Sequence, residues 1–452
     1  MKTKITLFTV FILFTFSAFS QSFKWVKKYY TTSEGAFNCI IVSNDHNYIS
    51  CGQLDYKGFI MKTDTAGNEM WSKAYQFMRN INQVENTFDG NLVIYGPSDT
   101  TQDYYFIKMN ATGDTLWRKK FKCDYSRNNQ NFIQTSDSGF VLTYSQSDTI
   151  HLVKMNKSGD VLWSKIYLGM QYARSNSISL TKDGGFVIGA NTYSDDAKSV
   201  ESMLIIKTDA SGDSLWTHTY TITGYNQVAS VLEMNDNNYI IAYYTGLSCS
   251  YKSYIRKINP AGTVIWNYQN LLGGSSAFAW SLYRAPDDNY VIAGAIKHFN
   301  EGTGYDYTID WVDSTGSEPW VLNYRDSAFD YCNSIAFETD SILITAGLTN
   351  NSANNILTIA KISIIPVITD ILEPVNNSDI KIYPNPSAGN VVIIVPEATE
   401  NISIINAVGQ EVYSLKTNRK TKFDFTITDE GIYFIRVEAK NQIFTKKLIV
   451  NE

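Results

Sequence analysis

The sequence predicts an all-β protein, a seven-bladed β-propeller followed by a small C-terminal β-sandwich of Ig-like type. Three observations carry this reading. A turn built from Asp or Asn, Gly three residues later and Trp four residues after that recurs six times; an Asp-led turn before an apolar, β-branched run recurs seven times; and a lone Trp strand near the N-terminus matches the strand that the last unit lacks. Composition agrees: 30 Tyr, 23 Phe and 9 Trp in 452 residues, with only 18% charged side chains, favour strands over helices.

From the N-terminus, Lys2 and Lys4 precede an apolar run from Ile5 to Phe16 and the small residues Ala18 and Ser20, so residues 1–20 read as a cleavable secretory signal peptide. The run is too short to span a bilayer and no later segment is long and apolar enough, so no membrane span is expected. Gln21 stands where a lipoprotein would carry Cys, which disfavours an N-terminal lipid anchor. The mature protein is therefore expected outside the cytoplasm, where disulfides are permitted. Cys39 and Cys51 flank a predicted hairpin turn and could face each other across two strands, whereas Cys123, Cys249 and Cys332 have no evident local partner.

Residues 21–365 hold the repeat. Its six Gly-to-Trp turns are Asp64, Gly67, Trp71; Asn110, Gly113, Trp117; Asn156, Gly159, Trp163; Asp209, Gly212, Trp216; Asn259, Gly262, Trp266; and Asp313, Gly316, Trp320. Lys62, Lys108, Lys154, Lys207 and Lys257 precede five of them by two residues, and Trp311 replaces Lys in the sixth. The Asp or Asn side chain can bond its own backbone two residues on, and Gly accepts positive φ, so the chain reverses tightly before the Trp strand. The Trp is expected to fill the space between neighbouring four-stranded sheets, with Lys73, Lys119 and Lys165 laying their stems over the ring edges. The Asp-led turns begin at Asp45, Asp89, Asp137, Asp183, Asp236, Asp287 and Asp340.

Seven Asp turns against six complete Gly-to-Trp turns leave the last unit without an outer strand. Trp25, Lys27 and Tyr29 match Trp71, Lys73 and Tyr75 without a turn of their own. Pairing residues 23–30 with the strand around 356–363 would close a ring of seven and remove its open edges. The unit resembles the bacterial DGG-type propeller repeat, best at Asp183-Gly184-Gly185-Phe186 through Lys207-Thr208-Asp209 to Trp216.

Residues 366–379, with Pro366, Pro374, Asn376 and Asn377, read as a linker. Residues 380–452 alternate in seven short strands, as a small sandwich does. This segment resembles the C-terminal sorting domain of the type IX secretion system at Tyr383, Pro384, Asn385, Pro386 and Gly389, at Gly409, at Gly431 and Tyr433, and at Lys446 and Lys447. The resemblance implies export across the outer membrane, with the secretion machinery and a sorting protease as partners, and a final place in the medium or on the cell surface.

A net charge of -6 supplies no clustered positive field, so nucleic acid is not an expected partner. Four His and five Cys in no ligand spacing point to no metal, and no phosphate loop, dinucleotide fingerprint or nucleophile elbow calls for a cofactor or a catalytic assignment. Variable loops on a rigid scaffold are where binding resides. On the long-loop face these are expected to present Arg79, Tyr125, Arg127, Tyr172, Arg174, Tyr225, Trp280, Arg325 and Tyr331, planar aromatics and guanidinium groups that suit a polysaccharide or a protein partner. The leading expectation is thus a non-catalytic binding or adhesion protein. The alternatives are a polysaccharide-degrading enzyme built on carboxylates such as Glu85, Glu233 and Glu338, read here as solvated strand ends, and a structural component of the surface layer.

Overall fold

A computed structural model describes residues 19–29, 34–101, 103–122, 131–167, 171–193, 201–222, 224–247, 250–269, 274–285, 289–298, 304–317, 320–324, 329–350, 355–366, 380–395, 399–407, 410–417, 420–439 and 442–451. The chain forms two compact units, 19–366 and the segment from 367 onward. Among the described residues all regular structure is β. Residues 1–18 of the expected signal peptide 1–20, Asp287, Cys123, Cys249 and residues 367–379 of the expected linker lie outside the described residues.

The first unit consists of seven four-stranded antiparallel sheets. Blade 1 runs Gly35–Val42, Tyr48–Leu54, Lys57–Thr63 and Glu69–Tyr75 from the innermost strand outward. Blades 2 to 6 repeat the order over residues 83–122, 132–167, 171–221, 225–269 and 274–324. Blade 7 takes Phe329–Thr339, Ile342–Asn350 and Asn355–Pro366 from the end of the repeat and its outer strand, Phe19–Tyr29, from the N-terminus. Trp25 pairs with Lys361 and Lys27 with Ile359, so the expected closure is the one observed. The ladder runs further than the sequence suggested: Ser20 pairs with Ile365 and Phe19 with Pro366. Pro366, assigned above to the linker, is therefore the last residue of a strand.

The core is divided in seven. One cluster of buried apolar side chains lies at each interface between adjacent blades, the seventh joining Phe37, Tyr48 and Met61 of blade 1 to Ile344, Leu357 and Ile359 of blade 7. Strands buried on both faces read as near-continuous apolar runs, as Phe186–Tyr193 does.

The Trp strands perform the joining expected of them, at the rim. Trp25, Trp71, Trp117, Trp163 and Trp266 lie against the Gly turn of the following blade: a Cβ added to Gly212 would stand 2.8 Å from the Trp163 ring, and one added to Gly67 3.1 Å from Trp25. The rings remain half-exposed rather than fully buried. Two and four residues beyond the Trp, further groups reach the same turn. Lys73, Lys119 and Lys165 pair with Asp114, Asp160 and Asp213 of the next blade at 2.7, 2.8 and 2.7 Å. The hydroxyls of Tyr29, Tyr167 and Tyr220 donate to the carbonyls of Gly67, Gly212 and Gly262 at 2.7, 2.8 and 2.9 Å.

The Lys that precedes each turn has a different and unforeseen role. Lys62, Lys108, Lys154, Lys207 and Lys257 run back under their own blade to the Asp-led turn, meeting Asp45, Asp89, Asp137, Asp183 and Asp236 at 2.5 to 2.7 Å. Partial burial opposes ionisation of these acids, but the hydrogen bonds from Lys outweigh it, joined in the first four by a Ser or Thr two residues upstream and at Asp236 by Asn238. They hold Asp89, Asp137 and Asp183 down at about 2 and Asp45 well below its usual range. In blade 7 the repeat shifts: Lys361 pairs with Glu338 at 2.7 Å instead of with Asp340, which is exposed.

A carboxylate with a depressed native pKa contributes stability that is complete above its unfolded value of about 4 and is lost as pH falls toward 2. The thermal midpoint is therefore expected to fall progressively from about pH 4 to pH 2. At neutral pH, Asp183→Ala, which leaves the buried Lys207 ammonium without its carboxylate, is expected to cost about 3 kcal/mol in denaturant titrations, and Lys207→Met less than half of that. At the rim, Gly212 has φ near +78° and the Trp163 ring against it, whereas Gly184, at +80°, would bring an added Cβ only to 3.9 Å from Ala210. Gly212→Ala should cost about 3 kcal/mol and Gly184→Ala about 1 kcal/mol, both read from urea unfolding midpoints.

Candidate functional site

The Asp-led turns and the Gly turns lie at one end of the blades, and the loops between second and third strands lie with the inter-blade connections at the other. The innermost strands start at this long-loop end. Most of them carry a bulge a few residues in, at Asn38, Asn176, Ala229, Trp280 and Asn333, which turns one extra side chain out of the ladder.

At two of these bulges the extra residue ties neighbouring blades together. Asn38 Nδ2 donates to the carbonyl of Ile81 in blade 2 at 3.0 Å, and Asn333 Nδ2 to the carbonyl of Phe37, the equivalent position of blade 1, at 2.7 Å. Blade 6 carries Trp280 there, between Ala279 and Ser281. The bulge requires Gly294 opposite it, because a Cβ at that position would meet the Phe278 carbonyl oxygen at 1.9 Å. Among the described residues no hydrogen-bond partner reaches the solvent-shielded Trp280 Nε1–H.

Around this indole the long-loop end of blades 5, 6 and 7 assembles a continuous group of rings. Phe278 stacks on Trp280 at 5.0 Å with their planes 11° apart. Tyr244 meets Phe278 edge-on at 5.1 Å and Trp280 at 5.8 Å. Tyr251 lies 4.8 Å from Phe278, and Tyr225 6.0 Å from both Tyr244 and Tyr251. On the other side Tyr305 lies 5.5 Å from Phe278 and stacks on Tyr331 at 5.7 Å. Tyr244 is buried and the other six are half-buried. The hydroxyls of Tyr225 and Tyr244 both donate to Gln227 Oε1, at 2.7 and 2.6 Å. The Lys297 ammonium sits 5.9 Å from the Tyr305 ring centre. Burial, and then the neighbouring Tyr305, push the Tyr331 hydroxyl up to about 12, so it stays a neutral donor at any physiological pH.

Of the residues singled out in the sequence, Tyr225, Trp280 and Tyr331 come together here. Arg79 is exposed on the connection leading into blade 2, Arg174 is half-buried in blade 4, and neither belongs to the cluster. Tyr172 lies on the first strand of blade 4. Tyr125, Arg127 and Arg325 fall outside the described residues. Tyr244, Tyr251, Phe278 and Tyr305 escaped the sequence reading, although Tyr243-Tyr244 and Tyr251 on either side of one loop were a usable signal.

The three carboxylates considered for catalysis sit in blades 2, 5 and 7, each with its own partner. Glu85 accepts from Gln83 Nε2 at 3.1 Å, Glu233 from the Lys182 backbone N–H at 2.6 Å, and Glu338 binds Lys361. Glu85, Glu233 and Glu338 are all half-buried rather than the solvated strand ends expected. Burial, countered in part by the Gln83 amide, pushes the Glu85 carboxyl up to about 7.

In the second unit, two sheets of strands 381–383, 390–394, 422–426 and 401–406, 411–416, 431–439, 442–450 enclose one apolar core. The segment from Tyr383 to Gly389 is stitched to the last strand. Asn385 Nδ2 donates to the Lys447 carbonyl at 2.7 Å, its Oδ1 accepts from the Ile449 N–H at 3.0 Å, and the Ser387 N–H donates to the Ile449 carbonyl at 2.9 Å. Pro384 and Pro386 both follow cis peptide bonds. Tyr433 donates to the Asp429 carbonyl at 2.9 Å, Lys446 is turned inward to the Ile380 carbonyl, and Lys447 is exposed. Gly409 lies outside the described residues. Residues 381–451 match the secretion system C-terminal sorting domain family.

The protein is a type IX secretion substrate. Its place is therefore the medium or the cell surface, and the secretion machinery is a partner. No helix among the described residues is long and apolar enough to cross a membrane. No curated protein matches the sequence. Among solved structures, the chain is similar to a protein of unknown function from Dyadobacter fermentans (9% identity, TM-score 0.48, covering 76% of this chain and 99% of that one). It is also similar to one of unknown function from Bacteroides caccae (13%, 0.39, 67% and 98%) and to the extracellular domains 1-2 of Drosophila Semaphorin 1b (7%, 0.44, 76% and 87%).

Asn385 is the one side chain of the Tyr383–Gly389 segment that bonds the final strand through both ends of its amide. Asn385→Ala is expected to lower the stability of the sorting domain by about 1 kcal/mol and to shift exported protein from the medium into the cell fraction. Immunoblots of the two fractions report this, and unchanged export would show that the segment is not read in its docked form.

Proposed function

We propose that this exported propeller is a non-catalytic binding protein for a neutral polysaccharide, held at the long-loop mouth of blades 5 to 7. The observation that carries the reading is Trp280. It occupies the bulge position that Asn38 and Asn333 use to tie blades together and sets an indole there among six other rings, while Ser281 beside it donates to the Asn333 carbonyl of blade 7 at 3.2 Å. Half-buried aromatic faces stack on the C–H faces of sugar rings, while Tyr hydroxyls offer polar contacts at the ring edges. The seven ring side chains of the cluster are themselves uncharged, with Lys297 at their margin, and on that ground a neutral chain is named.

Affinity electrophoresis of the secreted protein through gels containing soluble neutral polysaccharides tests this. At least one polymer is expected to retard migration, and Trp280→Ala to weaken the interaction by about 30-fold, the loss of a central aromatic anchor worth about 2 kcal/mol. Arg79→Ala, in another sector, should migrate as wild type. If no polymer retards the protein, or if both variants bind alike, the mouth is not the binding site.

A further inference from the structure

Cys39 and Cys51 are opposed residues on the two inner strands of blade 1. Opposed residues of an antiparallel pair hold their Cα atoms at about 4.5 or 5.5 Å, inside the window of about 4.4 to 6.8 Å that a disulfide spans. Both side chains enter the apolar cluster between blades 1 and 2. There the Cys39 thiol donates to the Val84 carbonyl at 3.7 Å and the Cys51 thiol to the Ile81 carbonyl at 3.9 Å. Cys332 belongs instead to the cluster between blades 6 and 7. The export route carries the chain through an oxidising compartment.

The pair adjoins the seam of the ring. On either side of Cys39, the Ile40 N–H donates to Ser334 Oγ of blade 7 at 3.1 Å and the Phe37 carbonyl accepts from Asn333 at 2.7 Å. A covalent link here would fix the strand that blade 7 grips.

We infer that Cys39 and Cys51 are joined as a cross-strand disulfide in the exported protein, stapling the inner strands of blade 1 beside the closure seam. Two S–H bonds are lost and one S–S bond forms. The two electrons and two protons pass, through a mixed disulfide, to the disulfide of a periplasmic thiol oxidase, which leaves as a dithiol. Burial pushes the Cys51 thiol well above its usual range, so the attacking thiolate is scarce once blade 2 has docked, and oxidation precedes that docking.

The test uses the full chain recovered from the medium, denatured in iodoacetamide without reductant and digested with trypsin. Residues 29–57 form one tryptic peptide that contains both cysteines. It is expected to appear two hydrogens lighter than its reduced mass and unlabelled, and to take up two labels after reduction. Recovery of the peptide with both cysteines labelled before reduction, or joined to the peptide carrying Cys332, overturns the assignment. Reductant should also lower the thermal midpoint of the wild-type protein by a few degrees and leave a Cys39→Ala, Cys51→Ala double variant unmoved; an equal response of both would count against the bond.

Discussion

The ring rests on a glycine turn that accepts the indole of the blade before it. At Gly67, Gly113, Gly159 and Gly212 the backbone takes positive φ and the missing Cβ leaves the surface against which Trp25, Trp71, Trp117 and Trp163 lie. The same outer strand then delivers Lys and Tyr to the same turn. One residue type thus sets both the reversal within a blade and the angle to its neighbour. Because the wedge is local and repeated, small departures in individual copies, such as His218 in place of Lys two residues beyond Trp216, do not disturb the architecture. There the imidazole packs on Gly262 and its Nε2 lies 3.2 Å from the Pro260 carbonyl.

Closure extends this rule across the whole chain. The outer strand of blade 7 comes from the N-terminus, so Trp25, Lys27 and Tyr29 lie against the Gly67 turn of blade 1 as the Trp strands of blades 1 to 5 lie against their successors. The two ends of the repeat become neighbours in one sheet, and no sheet edge is left open between blade 7 and blade 1. Inside the ring a second set of contacts runs through the innermost strands, from Asn333 to Phe37 and from Asn38 to Ile81. Rim and hub are therefore fastened by different chemistry, apolar wedges outside and amide hydrogen bonds inside.

Departures from the repeat divide into those that compensate and those that do not. Glu338 takes over from Asp340 as the partner of Lys361, and the ion pair survives. Trp311 replaces the buried Lys in blade 6 and simply fills the core between blades 6 and 7. At Trp280 the blade link is made by the neighbouring Ser281, whose Oγ donates to the Asn333 carbonyl at 3.2 Å, but the buried Nε1–H has no hydrogen-bond partner among the described residues. Sites where local rules fail without repair are where function is sought in an otherwise consistent fold.

Spacing and residue type alone determined the number of blades, the strand that closes them and the seven strands of the C-terminal sandwich, because each is encoded by neighbours within a few residues or by a repeat of near-constant length. The sorting segment was legible for the same reason. What only the tertiary structure decided concerns partners far apart in the chain. The buried Lys of each unit meets its Asp about 17 to 24 residues upstream, and no period distinguishes such an ion pair from a solvated charge. The aromatic mouth draws Tyr225, Tyr244, Tyr251, Phe278, Trp280, Tyr305 and Tyr331 from three blades. Loops that obey no repeat decide that meeting, and the bulge that turns Trp280 into it depends on Gly294, a residue on the next strand.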